Sequence, residues 1–177
     1  GHVLSARDIG VLASMTLFSI KVARRPRVAI IANGDELVMP GEKVRSGQLV
    51  SSNSISVANY VRVFGGDPTM IGIASDNELS IRQLLKYASG FDLILTIGGA
   101  SVGDYDLVRT VIEKNDWKLG FYKVAMRPGK PTFFGHFNNI PLLGLPGNPV
   151  SAGVVSVVFL STLVNQLLGA VYSTTRI

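Results

Sequence analysis

The chain has 177 residues, 47% of them hydrophobic, with a formal net charge of +5 and a mean hydropathy of +0.35. That length suits one ordinary domain with its own core, and the composition argues against long disorder. The absence of cysteine excludes disulfides, thiol catalysis and thiolate metal sites within the chain, and it fits a cytoplasmic location. The basic residues form no long run and do not interleave with aromatics. That pattern argues against nucleic acid and leaves two readings: a basic globular domain or a site for phosphorylated ligands.

The chain opens on Gly1-His2-Val3-Leu4, with no basic region leading an apolar core and no initiator Met, as expected of a segment of a longer polypeptide. Residues 5–17 read as a helix, with Ser5 as N-cap and Asp8 in the first turn. Residues 23–26 read as a linker. A run of small and branched apolar residues, 27–32, predicts a buried strand. The loop Asn33-Gly34-Asp35-Glu36-Leu37 follows, then a turn at Pro40-Gly41. Ser52-Asn53-Ser54 opens a helix to about residue 64, closed by Gly65-Gly66. A strand over 69–74 ends before Asp76, a helix covers 78–88, and a strand covers 91–97.

Next comes Gly98-Gly99-Ala100-Ser101-Val102-Gly103-Asp104-Tyr105-Asp106, then a helix over 106–114. Strands are predicted at 117–126, 132–137 and 140–145, with Arg127-Pro128-Gly129-Lys130-Pro131 breaking the first from the second. Pro146-Gly147-Asn148-Pro149 stops the last strand and starts a long apolar helix over 150–170. Several Ser, Thr, Asn and Gln residues interrupt that helix, so it reads as a core helix rather than a membrane span. Strands alternating with helices predict an α/β fold, a mainly parallel sheet covered on both faces. In such sheets ligands bind at the carboxyl ends of strands. The loops at 33–37, 75–77, 98–106 and 146–151 would gather on that edge.

The chemistry these loops offer is specific. Gly98, Gly99 and Ser101 suit close approach of backbone amides to a phosphate, although an ordinary strand-to-helix turn has the same composition. The loop has neither the Walker sequence nor the full dinucleotide-binding glycine spacing. Asp104 and Asp106 suit a metal ion, Mg²⁺ above all, or general-base work, and helix capping is the plain alternative. Asp35, Glu36 and Asp76 are further acidic candidates at strand ends. Arg127 and Lys130 hold positive charge on a stiff turn suited to an oxyanion, with Lys123 just before them. The two histidines, His2 and His136, lie far apart and make no metal site, and Trp117 reads as core.

Three motifs in this order carry a resemblance: Gly34-Asp35-Glu36-Leu37; the run from Gly98 to Asp106; and Pro128-Gly129-Lys130-Pro131 with Leu145-Pro146-Gly147-Asn148-Pro149-Val150-Ser151. Together they resemble the molybdopterin-binding domain of the molybdopterin molybdotransferases, the MoeA and gephyrin E-domain family. The resemblance implies a three-layer α/β/α fold. It implies molybdenum cofactor biosynthesis, with molybdate inserted into adenylylated molybdopterin and AMP released with Mg²⁺. Residues 1–23 would be a linking helix and linker from the parent chain, and 24–177 the molybdopterin-binding domain, working as a homodimer in the full-length protein.

By motif, Asp106, Asp76 and Glu36 match the catalytic carboxylates, and Lys123, Arg127 and Lys130 match the basic group for molybdate and phosphate. Gly34, Asp35, Asn53, Gly98, Gly99, Ser101, Gly103, Pro146, Gly147, Asn148, Pro149 and Ser151 would shape the pterin pocket, and Asp104 and Asp106 would hold the metal. The family has hydroxyl residues where this chain has Ala32 and Asn33, and a lysine where it has Arg127. Two other readings remain open: the related molybdopterin adenylyltransferase of the same fold, and a gephyrin-like scaffold module.

Overall fold

The computed structural model describes residues 1–99, 108, 111 and 118–170. The predicted start of the first helix, α1 (Ala6–Ser14), is sealed reciprocally. The Asp8 amide donates to Ser5 Oγ at 3.3 Å, and the Ser5 amide donates to the Asp8 carboxylate at 2.7 Å. These Ser5 hydrogen bonds lower the Asp8 carboxyl to about 2. The helix ends short of residue 17 because Thr16 takes left-handed backbone, φ 60°. No residue of α1 is buried.

Among the described residues eight strands follow: β1 (Arg27–Asn33), β2 (Leu37–Val38), β3 (Leu49–Val50), β4 (Asp67–Ala74), β5 (Leu93–Ile97), β6 (Lys118–Tyr122), β7 (Phe133–Phe137) and β8 (Ile140–Leu145). Six of them form one sheet in the order β4-β1-β5-β8-β7-β6. Pairings β1–β4, β1–β5 and β5–β8 are parallel, while β8–β7 and β7–β6 are antiparallel. The predicted mainly parallel sheet is therefore present. The predicted strand over 117–126 stops at Tyr122, because Lys123 enters left-handed backbone at φ 66°. Asn138 and Asn139, also left-handed, make the tight turn from β7 to β8. The parallel pair β2–β3 had no strand signal, being two apolar doublets eleven residues apart in polar surroundings.

Side chains leave this sheet alternately to two cores. Val28, Ile30, Leu93, Leu95, Leu143 and Leu145 pack against α2 (Ser52–Val63) and a long C-terminal helix, α4 (Pro149–Leu167). Ala29, Ile31, Ile94 and Leu142 pack against α3 (Glu78–Tyr87) and against Val108 and Val111, which are helical. Helices thus cover both faces, as expected for three layers. The long apolar helix is less buried than predicted. Val155, Leu160 and Val164 enter the core, but Val150, Val157 and Val158 on its other face are exposed. A π-helical segment, Ser156–Leu160, interrupts it.

Two contacts fix the ends of the sheet. Gly144 lies opposite Phe133 across β8 and β7, and the fully buried Phe133 ring occupies the space where a Gly144 side chain would stand. At the amino edge, Asp92 accepts from Arg24 Nη1 and Nη2, both at 2.6 Å, and from the Arg27 amide at 2.7 Å. Arg24 foremost, and the Arg27 amide after it, hold the Asp92 carboxyl below its usual range against the opposing effect of burial.

Gly144→Ala should therefore displace Phe133 and cost about 1–3 kcal/mol in urea unfolding. Gly10→Ala, in an exposed helix with open space around it, should be neutral or stabilising by up to about 1 kcal/mol. Because the folded-state pKa of Asp92 is depressed, its contribution is present above the ordinary carboxylate range. It is lost as pH falls through the depressed folded value. Asp92→Asn should lower stability at neutral pH by about 1 kcal/mol and flatten the acid limb of a stability–pH curve, read by thermal unfolding.

Candidate functional site

The four parallel strands end on one edge, so the loops after Asn33, Ala74, Ile97 and Leu145 emerge together. A cavity of about 500 Å³ opens there between the ends of β1, β5 and β8 and the start of α2. Ala32, Asn33, Ile97, Gly98 and Gly99 form its strand-end wall. Glu36, Leu37, Leu49 and Val50 form a second side, and Ser51, Ser52, Asn53, Gly147 and Pro149 close it. The β2–β3 pair contributes directly to this wall. The Leu49 amide donates to the Glu36 carbonyl at 2.7 Å and the Ser51 amide to the Val38 carbonyl at 2.9 Å, so the pair carries the chain to the start of α2.

Glycine at the strand ends is a steric necessity. Gly98 has φ 82°, and a Cβ there would stand 2.8 Å from the Asn33 carbonyl oxygen. Gly98 nonetheless extends the β5–β8 ladder, its amide donating to the Leu145 carbonyl at 3.0 Å. Gly34, at φ 148°, leaves room for the Glu36 carboxylate, which would lie 2.5 Å from a Cβ at that position. These positions let backbone come close to whatever occupies the cavity.

Two helix starts meet beside it. Asn148 caps α4, its Oδ1 accepting from the Ser151 amide at 3.1 Å and from Ser151 Oγ at 3.3 Å, and Pro149 takes the first turn. Asn53 Nδ2 donates to the Gly147 carbonyl at 2.6 Å and ties α2 to the turn before α4. Ser51, the N-cap of α2, gives no side-chain cap; its Oγ pairs with Ser54 Oγ at 2.7 Å. Helix-start amides at such a place suit an anionic or carbonyl-rich ligand.

The predicted site residues divide by position. Glu36, Asn53, Gly98, Gly99, Gly147 and Pro149 line the cavity. Gly34, Pro146, Asn148 and Ser151 support its rim. Asp35 and Asp76 are exposed at the same edge, where the Asp76 amide donates to Asp35 Oδ1 at 3.0 Å. Lys123, Arg127 and Lys130 are exposed on the loop between β6 and β7, which leaves the sheet at this same edge but does not line the cavity. That loop is closed by the Lys123 amide on the Thr132 carbonyl at 2.9 Å and by Thr132 Oγ1 on the Gly129 carbonyl at 2.6 Å; its Arg127–Pro128 peptide is cis.

Ser101, Gly103, Asp104, Asp106 and Trp117 lie outside the described residues. Among the described residues, no group of three or more His, Asp or Glu stands close enough to hold a metal ion. Sequence reading missed Ser51, Ser52, Leu37, Leu49 and Val50 as lining residues, and its only signal for them was their nearness to Asn53 and Glu36. From the sequence Asn33 is a loop residue that stands, with Ala32, where the family has hydroxyl residues. Its side chain is buried, with Nδ2 donating to the Ile97 carbonyl at 3.4 Å and Oδ1 without a partner among the described residues. An unpaired buried acceptor costs about 1–3 kcal/mol.

Comparison with known proteins places this edge in a family. Residues 29–166 match the family model described as "Probable molybdopterin binding domain". The chain is 38% identical over 170 residues to a molybdopterin molybdenumtransferase of Nostoc sp., covering 94% of this chain and 39% of that protein. It is 36% identical over 175 residues to molybdopterin molybdenumtransferase 2 of Mycobacterium tuberculosis, covering 96% and 43%. The chain thus spans about 40% of the length of the curated relatives it matches.

Among solved structures, the molybdopterin biosynthesis MoeA protein of Pyrococcus horikoshii superposes with a TM-score of 0.83 at 30% identity, covering 94% of this chain and 41% of that one. The MoaB enzyme of Thermus thermophilus shares the fold, with a TM-score of 0.58 at 20% identity, over 81% of this chain and 97% of that one. The motifs, the three layers and the strand-end cavity converge with these matches: the chain belongs to the molybdopterin-binding domain family of molybdenum cofactor biosynthesis.

Proposed function

We propose that this chain is the molybdopterin-binding domain of a molybdopterin molybdotransferase, a transferase that inserts molybdate into adenylylated molybdopterin and releases AMP. The observation that carries this reading is the cavity at the carboxyl edge, walled by the Gly34–Leu37 and Gly98–Gly99 motifs and by the Gly147–Pro149 turn. Those are the segments by which the sequence resembles the molybdotransferases, and two relatives that carry that name are 38% and 36% identical.

In this reading the pterin lies in the cavity, against backbone at Gly98 and Gly99. Asn53 and Asn148 hold the two helix starts in register to receive its carbonyl and phosphate oxygens. Lys123, Arg127 and Lys130 attract molybdate as a second substrate and guide it along the edge. Glu36, Asp76 and Asp106 are the carboxylates of the reaction, and Asp106 is the general base of AMP release. Asp104 and Asp106 hold Mg²⁺, which neutralises phosphate charge.

Residues 1–23 form the link to the preceding part of the parent chain and 24–177 the pterin-binding unit. The parent works as a cytoplasmic homodimer, with neither nucleic acid nor membrane as partner. Support for molybdotransfer over pterin adenylylation comes from the joint presence of Pro128-Gly129-Lys130-Pro131 and Leu145-Pro146-Gly147-Asn148-Pro149. The adenylyltransferase would move AMP from ATP to molybdopterin instead.

Calorimetric titration of the intact protein with molybdopterin and with its adenylylated form tests the reading. Micromolar or tighter binding of both is expected, with Mg²⁺ favouring the adenylylated form. Asp106→Ala should abolish that Mg²⁺ advantage and slow molybdenum insertion by about 100-fold or more. AMP transfer from ATP without molybdenum insertion would reassign the protein to the adenylyltransferases.

A further inference from the structure

Asn33 has no part in the roles assigned above, yet more of the cavity wall converges on it than on any charged residue there. It ends β1, pairs with Ala74 of β4, and is only 4% exposed. Its Nδ2 donates to the carbonyl of Ile97, the last residue of β5, at 3.4 Å. Its own carbonyl oxygen stands 2.8 Å from the place a Gly98 Cβ would take, and its Cβ lies 3.3 Å from the place a Gly99 Cβ would take. The side chain thus reaches the last residue of β5 and packs beneath Gly99, while the Asn33 main-chain carbonyl lies beneath Gly98.

The remaining half of the carboxamide is a cost with no local return. Oδ1 is buried and meets no donor among the described residues. A half-satisfied buried amide persists where geometry matters more than stability. The ladder between the strands ends at Ala32 and Ile97, and the amide adds a side-chain link one residue beyond it, at the back of the cavity.

We propose that Asn33 is the positioning residue of this site: its carboxamide bridges β1 to β5 and sets where the Gly98 and Gly99 backbone stands in the cavity wall. Asn33 makes no contact with the reacting atoms. It acts through the glycines, and its effect on ligand affinity rests on the pterin-binding reading given above.

The test uses Asn33→Ala, which removes the carboxamide without adding volume, in the intact protein and two readouts. Amide hydrogen exchange followed by NMR reports the wall without any ligand. Gly98, whose amide bonds to Leu145, should exchange about tenfold faster in the variant, while Leu95 in the middle of the same strand keeps its protection. Calorimetry with molybdopterin should then show a dissociation constant raised about tenfold, with the same stoichiometry.

Unchanged exchange at Gly98 overturns the proposal, and so does equal acceleration at Gly98 and Leu95, which marks a general loss of stability. Selective loosening at Gly98 with unchanged pterin affinity removes Asn33 from the ligand site. Should the wild-type protein bind no pterin, the functional reading falls, and the exchange result still decides the role of Asn33.

Discussion

Two strand ends meet within the width of a missing side chain, and a third stands in contact with them. The Gly98 amide continues the ladder to Leu145, and its α-carbon faces the Asn33 carbonyl at a distance no Cβ tolerates. On the other side, a Cβ on Gly147 would lie 3.5 Å from the Gly98 α-carbon. That last distance is ordinary contact, so it is Gly98 that must lack a side chain for β1 and β5 to close on one another, and its bare backbone faces the cavity.

The layers beneath turn that local contact into a rigid edge. Each central strand buries residues on both faces, so a shift along the strand axis by one position would exchange the two cores. Leu93, Leu95 and Ile97 on one face and Ile94 on the other fix β5 against α2 and α4 in front and α3 behind. Phe133 lying over Gly144 locks β8 to its antiparallel neighbour. That neighbour starts at the carboxyl edge, where β6, antiparallel to it, delivers the chain, and so the loop bearing Lys123, Arg127 and Lys130 stands beside the parallel loops, although it belongs to the antiparallel side of the sheet.

What the sequence disclosed follows from the range of its signals. Strand and helix positions were legible because apolar runs and caps are local: Ser5 with Asp8, Asn148 with Pro149, and the run from Leu93 to Ile97 all act within a few residues. The convergence of loops was legible because parallel strands leave only one edge for them. The β2–β3 pair was illegible, since two-residue strands are defined by their partner and not by any period. So was the part of Asn33, whose importance comes from Gly98, 65 positions away in the chain. An asparagine after a buried strand reads as a turn residue until the strand that it braces is known.

The distribution of charge separates two tasks. Among the described residues lining the cavity, Glu36 alone carries a formal charge, and the rest offer amides, hydroxyls and aliphatic surface. Such a wall suits a flat, hydrogen-bonding heterocycle better than a small, highly charged oxyanion. The cations stand outside it, exposed on a loop stiffened by Pro128 and Pro131. An anion drawn to that loop would reach the cavity rim without competing for its interior. Neutral wall and cationic flank are what a site needs if it must hold an organic ligand in place while a second, inorganic one arrives, and both follow from the same sheet edge.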